Sequence, residues 1–522
     1  MGYIFRLSFR GTERTTHPPI LAVCAVLLGP FVVGFHSRLF GTGLVDLRGE
    51  FGLSVDEGAW LSTLATAPQI VLAPAVAWLA AAYGIRRVMA GPALLYAAVS
   101  LVIPIARGFE SLAFLHIVHG TLLGVFVPAT LMIIFKNLPM KWWISAIAIY
   151  AFRGAFTANS GTALVDFYVQ HLGWQFIYWQ DVVLAPILAL LVFGGAPHEP
   201  VNRDLVRRAD WSGMLFLGSG MALIFVAVDQ GNRLDWFANG FVIASLAGGF
   251  LLVVAFFVNE LFVTHPWASI GAIGARNVVL LLSIALLYLM SGLSNTSLIP
   301  NYLATVAGLR PEQIGQTLLH WTCIPLLVMT PIAVWALHRT DGRFLLLIGL
   351  CCFAAAAFIG TGLTGDWSGD NFRTMCVLQG VGHILTFLPI IVLTVANGDP
   401  KKAIAVAAYI QVIRLLGTQT AQALMTTYLR KSEQIHSYLT GLNVERGSEA
   451  SISALSALSQ KMASAGQAIA PSRGLTVLGQ HVQKQANVLS FIDAFWLTFL
   501  CAVGGLAILA FVTKAPKGPL TV

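Results

Sequence analysis

The chain has 522 residues, of which 57% are hydrophobic and only 10% charged. An ordinary soluble domain carries about 25% charged residues, so this composition excludes a soluble enzyme, a disordered chain and a nucleic-acid binder that relies on a basic surface. The net charge of +8 sorts by membrane side, and the chain reads as an all-α integral membrane protein.

The basic N-terminus is not followed by a short apolar core with a cleavage site, so the apolar run from Ile20 is expected to be a retained first span. Predominantly apolar runs of about 20 residues, enough to cross a bilayer, recur at about 19–42, 58–82, 88–106, 111–135, 142–168, 176–195, 212–229, 237–259, 277–305, 313–337, 344–364, 374–396, 403–429 and 493–513. That predicts fourteen helices, because every backbone group must be satisfied within lipid. The polar, Ser/Ala/Gln-rich stretch 430–492 is predicted to be a long outer loop, helical in part, before the last helix. The six cysteines (Cys24, Cys323, Cys351, Cys352, Cys376, Cys501) lie in or beside apolar runs and lack the spacing of a zinc site or a disulfide framework.

Lys and Arg set the orientation. Arg6, Arg10, Arg14, Arg86, Arg87, Lys136, Lys141, Arg203, Arg207, Arg208, Arg276, Arg339, Arg343, Lys401, Lys402, Lys514 and Lys517 fall on the side of the N-terminus. Only Arg48, Arg107, Arg233, Arg310 and Arg373 occupy the short segments opposite. The positive-inside rule then puts both termini in the cytoplasm.

Two echoes suggest an internal repeat. Span two has Pro74, Trp78 and Arg86, and span ten has Pro331, Trp335 and Arg343, at identical spacing. Lys141 precedes Arg153 by twelve residues, as Lys402 precedes Arg414. The equivalence requires six spans, two extra, then six: 1–197, 198–264 with the extra pair, and 265–522 including the outer loop 430–492. Parallel repeats of this kind are a transporter signature.

At these residues the chain resembles the fourteen-helix drug:proton antiporters of the major facilitator superfamily, the EmrB/QacA type. The resemblance rests on Asp210-Trp-Ser-Gly213, Asp229-Gln-Gly231 and Trp236, on Leu298-Ile-Pro300-Asn-Tyr302-Leu303, Gly308, Pro311 and Gly315, and on Arg414-Leu-Leu-Gly417. Gln485-Ala486, Asp493-Ala-Phe495 and Trp174-Gln-Phe-Ile-Tyr-Trp-Gln-Asp181 extend it. It implies the major facilitator fold, an inner-membrane location and export of small amphipathic compounds by proton-coupled alternating access.

Departures from the family pattern bear on mechanism. The gating loop after span two keeps Leu79, Gly84, Arg86 and Arg87, but Ala77, Ala81 and Ala82 replace its first Gly, its Asp and its Arg; Arg339, Asp341 and Arg343 are the counterpart after span ten. His36 takes the span-one carboxylate position, and the span-four Arg-x-x-Gln-Gly becomes His116-x-x-His119-Gly120. The antiporter motif of span five reads Gly161-Thr162-Ala-Leu-Val165-Asp166. His320 stands where the family has Pro.

Ionisable groups inside a bilayer are costly and therefore functional candidates. His36, His116, His119, His383, Arg153 and Arg414 are the candidates for proton coupling or substrate contact, with His320 a weaker one. At 1.5 Å per residue, Arg153 and Arg414 each lie about 18 Å from their cytoplasmic lysines, near the midplane. Arg38 and Asp166 count out near the outer interface, where snorkelling accounts for them. His116 and His119 share a helix face that continues to Gly120 and Gly124. No carboxylate or cysteine on that span offers a third metal ligand, so no metal and no cofactor are expected.

The resemblance places His36, His116, His119 and His383 on cavity-lining helices, and Arg153, Arg414 and His320 on helices between the halves. With no midplane carboxylate expected, the cavity reads as cationic or titratable, and the substrate as an amphipathic anion such as an aromatic carboxylate. Protons, membrane lipid and a periplasmic adaptor of a tripartite efflux system are the partners this implies; nucleic acid is not one. Alternatives are an uncoupled or anion-exchange transporter, an intramembrane metal enzyme using His116 and His119, and a receptor, although no soluble signalling domain is evident. No Gly-x-x-x-x-Gly-Lys-Ser/Thr phosphate loop is present, so direct nucleotide hydrolysis is not expected.

Overall fold

The computed structural model describes residues 19–399, 402–442, 444, 448–462 and 470–516. Arg6, Arg10, Arg14, Lys401 and Lys517 of the charge count therefore lie outside the described residues. Thirteen helices among those described are long and apolar enough to cross a membrane. Trp143–Phe167 is a further 25-residue helix, and its Arg153, Asn159, Ser160 and Asp166 explain its lower hydropathy. Together they make the fourteen spans, in a 6 + 2 + 6 order.

Spans one to six are Pro19–Phe51, Val55–Leu72 continued by Val76–Tyr83, Ile85–Val102, Phe109–Asn137, Trp143–Phe167 and Phe176–Gly195. The extra pair is Trp211–Gly231 and Gly240–Phe262. Spans nine to twelve are Arg276–Leu293 continued by Ile299–Thr305, Pro311–Leu318 continued by Ile324–Leu337, Gly342–Gly360, and Arg373–Asn397. Span thirteen is Ala403–Val412 continued by Thr418–Leu442, and span fourteen is Ala470–Leu509.

Lipid tails are as apolar as leucine, so helices associate through close approach at small residues. A Cβ on Gly120 of span four would meet the Ala65 carbonyl of span two at 2.2 Å, and one on Gly218 of span seven the Val71 carbonyl at 2.6 Å. Gly380 of span twelve approaches the Thr322 carbonyl of span ten in the same way, at 2.6 Å. Span five meets span ten at its outer end, where Gly315 lies against the Ala163 backbone at 2.7 Å from its Cβ position. Spans two and thirteen meet at the opposite face of the bundle, where Trp78, Ala82, Ala405 and Tyr409 share one apolar cluster.

Wide π-turns interrupt spans nine, ten and thirteen at Ser294–Leu298, Leu319–Cys323 and Ile413–Gly417. Such bulges inside helices concentrate at functional sites. Here they bring Asn295 to Asn159 of span five at 2.9 Å and to Thr322 of span ten at 3.2 Å.

The extra pair breaks the symmetry of the repeat. Trp78 is buried under span seven, edge-on to Trp211. Its echo Trp335 is 57% exposed, with the Arg339 guanidinium over its ring at 4.7 Å. At the outer side span seven bonds to span two through Thr63 and Asp229 (2.5 Å) and through Arg233 and Asp56 (2.5 Å). The turn after it reaches span thirteen through Trp236 to Thr427 (3.1 Å) and Arg430 to Asp235 (3.1 Å).

Part of the stretch 430–492 proves to be the continuation of two spans. Span thirteen runs on to Leu442, and span fourteen begins at Ala470 and is 40 residues long. At 1.5 Å per residue that helix measures about 60 Å, twice the roughly 30 Å hydrocarbon core. The two extensions and the helix Glu449–Met462 pack into an outer hairpin, pinned at its base by Asp493, which accepts from Ser432 (2.6 Å) and pairs with His436 (2.8 Å).

Candidate functional site

The expected site residues separate into two groups. His36, His116 and His119 gather with residues of spans three and six in the interior of the first six spans. The predicted cavity lining by these three is corrected: they are 3%, 0% and 1% exposed, between spans one, three, four and six. Gly120 and Gly124 face span two, beside the histidine face instead of on it.

At the middle of this group sits Asp181, fully buried on span six. It lies five residues, about 7.5 Å, inside the start of span six, so it is a buried carboxylate near one end of the span and not the midplane carboxylate whose absence the sequence predicts. Its Oδ2 accepts from His36 Nδ1 at 2.8 Å and from the Tyr96 hydroxyl at 2.9 Å, while Oδ1 has no partner. The His119 ring lies 4.4 Å from that of His36 and stacks on Tyr96 at 4.1 Å. Ser100 donates to the Tyr96 carbonyl (2.9 Å) and so accepts from His119 Nε2 (2.9 Å). His116 donates to the Leu112 carbonyl at 2.7 Å and accepts from the Tyr178 hydroxyl at 3.0 Å.

The sequence of span four offers no third metal ligand beside His116 and His119. Spans one and six supply candidates: His36, His119 and Asp181 each offer an atom within 4.8 Å of the others. His36 Nδ1 and Asp181 Oδ2 are bonded to each other at 2.8 Å. That is the geometry of a shared proton.

The second group lies where the halves meet. Arg153 of span five is buried over the Tyr150 ring, 5.5 Å from its centroid, within electrostatic reach of Arg414 and His383. His383 Nε2 donates to the Ala151 carbonyl (3.0 Å) and its Nδ1 accepts from Tyr288 (2.6 Å). Arg414, in the π-turn of span thirteen, donates to Gln411 at 2.8 Å. Among the described residues no carboxylate pairs with either arginine. Arg153 Nε, Gln411 Nε2 and the Tyr150 hydroxyl are buried without partners. Beside them Phe31 and Phe35 of span one pack with Phe152 and Phe156 of span five at 5.0–6.3 Å, each ring only partly buried.

The remaining candidates stand apart. In the span-five motif, Arg38 lies across Gly161 and donates to Thr162 (3.1 Å), so snorkelling does not describe it; Asp166 accepts from Gln170 at 2.7 Å. His320 is exposed on the flank of span ten, in a cavity of about 480 Å³ with Trp321 and Val377, and does not face the centre between the halves.

In the loop after span two Gly84 has φ +85°, a left-handed conformation that favours glycine, and ends that span. Leu79 packs into the apolar cluster under span seven. Arg86 covers the Phe193 ring at 3.6 Å and bonds the Phe193 carbonyl, and Arg87 bonds the Tyr83 and Glu199 carbonyls (3.3 and 3.4 Å). In the counterpart loop Asp341 caps span eleven and pairs with Arg343 at 2.8 Å; Arg343 also bonds the Val512 carbonyl at 3.1 Å.

Partial burial raises the Asp341 carboxyl, but the Arg343 hydrogen bonds and the charges of Arg343 and Lys514 outweigh it and hold it below its ordinary value. A depressed carboxylate stabilises the fold above its unfolded pKa of about 3.9, and that contribution is lost as pH falls through the folded value. Asp341→Asn keeps the helix cap and removes the charge. It is expected to cost up to about 1 kcal/mol at neutral pH. Thermal unfolding in detergent should show the difference at pH 7 and its closure below about pH 4.

With both groups in place, comparison with known proteins fixes the family. The Major Facilitator Superfamily profile matches residues 26–419. The chain belongs to that superfamily. It is 22% identical to the multidrug export protein EmrB of Haemophilus influenzae, with 97% of this chain and 99% of that protein aligned. It is 21% identical to EmrB of Escherichia coli, over 96% of each chain. The fatty acid resistance protein FarB of Neisseria gonorrhoeae is 21% identical over 78% of this chain and 80% of its own. The proton:xylose symporter XylE shares the fold at a TM-score of 0.56 and 12% identity, covering 96% of this chain and 97% of its own.

Sequence reasoning found the histidines and arginines of this superfamily member but passed over Asp181. The signal was present: Asp181 lies five residues inside the apolar run 176–195. Its place at the end of the motif Trp174–Asp181 masks it as a charge in lipid.

Proposed function

We propose that this major facilitator protein is a proton-driven exporter of small amphipathic compounds in the inner membrane, with both termini cytoplasmic. In this reading residues 1–197 and 265–522 form two halves that rock about the phenylalanine-lined centre, with 198–264 carrying the extra pair. The similarity to multidrug export and fatty acid resistance proteins supports export.

The observation that carries the substrate class is the pair Arg153 and Arg414, near the midplane with no carboxylate among the described residues to neutralise either. Buried charge without a counterion is costly, and an anionic headgroup supplies one. The partnerless Arg153 Nε, Gln411 Nε2 and Tyr150 hydroxyl are donors for it, while Phe31, Phe35, Phe152 and Phe156 accept an apolar body. An amphipathic anion, aromatic or aliphatic, fits these groups. The outer hairpin offers a docking element for a periplasmic adaptor.

Everted vesicles test the reading, with naphthalene sulfonate and ethidium offered in parallel, with and without an imposed pH gradient. A sulfonate keeps its charge at every working pH and does not distribute passively with the gradient. Gradient-dependent uptake of the sulfonate is the expected result. Uptake of ethidium alone would overturn the anionic assignment. Sulfonate uptake indifferent to the gradient would favour the anion-exchange alternative.

A further inference from the structure

We propose that the His36–Asp181 pair is the site that binds the coupling proton, with Tyr96 orienting the carboxylate. This deepens the proton-driven reading and rests on it.

The polar groups around Asp181 come from every helix packed against it. Span one contributes His36, span three Tyr96 and Ser100, and span four His116 and His119. Span six adds Tyr178, and Tyr168 at the end of span five reaches Gln180 at 3.3 Å. None is a lysine or arginine, and Asp181 forms its ion pair with His36. His36 is therefore the group that can balance the carboxylate.

Three protonation states follow. With one proton the pair is neutral overall, either as carboxylate and imidazolium or as acid and imidazole. With none it leaves a bare buried carboxylate, and with two a bare imidazolium. An uncompensated ion costs several kcal/mol in such an interior, so the closed arrangement holds one proton. The neighbouring histidines do not take it over. His116 spends both ring nitrogens as a neutral ring, and a second imidazolium at His119, 4.4 Å from His36 and already giving its Nε2 hydrogen to Ser100, would be repelled.

The count can change only when water reaches the pair, which requires span one to move against spans three, four and six. Span one also carries Phe31 and Phe35, which pack on Phe152 and Phe156 of the span that bears Arg153. Occupation of the centre and access to the pair are thus set by the same helix. One proton enters from outer water, resides on the pair and leaves to cytoplasmic water as substrate moves outward; no other bond is made or broken.

The test uses the full-length protein in reconstituted vesicles with naphthalene sulfonate. Asp181→Asn and His36→Gln should each lose at least about tenfold in gradient-driven accumulation, while gradient-free counterflow stays within about twofold of wild type. Asp181→Glu should regain accumulation in part. Wild-type accumulation in Asp181→Asn would overturn the proposal. So would loss of counterflow in both variants while they remain monodisperse, which would make the pair structural. A stoichiometric divalent cation that copurifies with the wild type and is missing from Asp181→Asn would assign the site to a metal instead. Wild-type vesicles that show counterflow but never accumulate would sink the proton-driven reading itself.

Discussion

Arg153→Ala is expected to raise the half-saturating concentration for naphthalene sulfonate about 100-fold, or about 2.7 kcal/mol, because it removes a desolvated charge–charge contact. Arg153 is buried with its Nε unpartnered, so its solvation has already been given up and the anion need not strip it of water. Arg153→Lys keeps the charge but not the planar fork, and should recover only part of the loss. The discriminating control is ethidium, which gains nothing from a guanidinium. Equal losses for sulfonate and ethidium would show that Arg153 supports the fold or the motion, and not the anion.

Gly315→Val is the second large effect. The glycine lies where span ten touches the Ala163 backbone of span five, 2.7 Å from the position a Cβ would take. Backbone cannot yield as a flexible side chain would, and overpacking of this kind costs about 1–3 kcal/mol. Charged to a closed outer end, that shifts the balance towards an outward-open form by about 5- to 150-fold. Transport should fall even though no site residue has changed. Cys323, 3% exposed and packed on the Phe156 carbonyl, is a built-in reporter. A membrane-impermeant maleimide added from outside should label it in Gly315→Val and spare it in the parent, with Cys323→Ser as the blank. Unchanged labelling together with unchanged transport would show that the outer contact does not control access.

Much of the fold was legible in the sequence for a simple reason. The bilayer imposes one length and one backbone solution on every crossing, so counting apolar runs is close to counting helices. Span five was legible despite its polar residues because its neighbours fixed the topology around it. The echoes Lys141–Arg153 and Lys402–Arg414 were also informative, since both arginines arrive within reach of each other. The echo of Trp78 and Trp335 misleads about environment, because span seven covers one and leaves the other bare.

The candidate site was only half legible. Helical spacing shows that His116 and His119 share a face, but not that His36, Tyr96 and Asp181 meet them there, since those contacts join four helices. Nor could spacing separate the buried histidines from the central arginines, because depth in the membrane is readable from a sequence and direction across a bundle is not. The outer hairpin illustrates the same limit. Its low apolarity ends the membrane crossing, whereas the helix itself continues as long as backbone hydrogen bonds and the packing of Ser432, His436 and Asp493 sustain it.

Those continuous helices turn the outer hairpin into a lever arm. Span fourteen crosses the membrane and carries on about 30 Å beyond it as one unbroken helix, with the shorter extension of span thirteen packed beside it. A rigid-body rotation of about 15°, the scale of known subunit rotations, would sweep the far end through about 8 Å. A protein gripping that tip would sense each swing of the membrane-embedded part from well outside the bilayer, and by resisting the swing could slow the cycle that produces it.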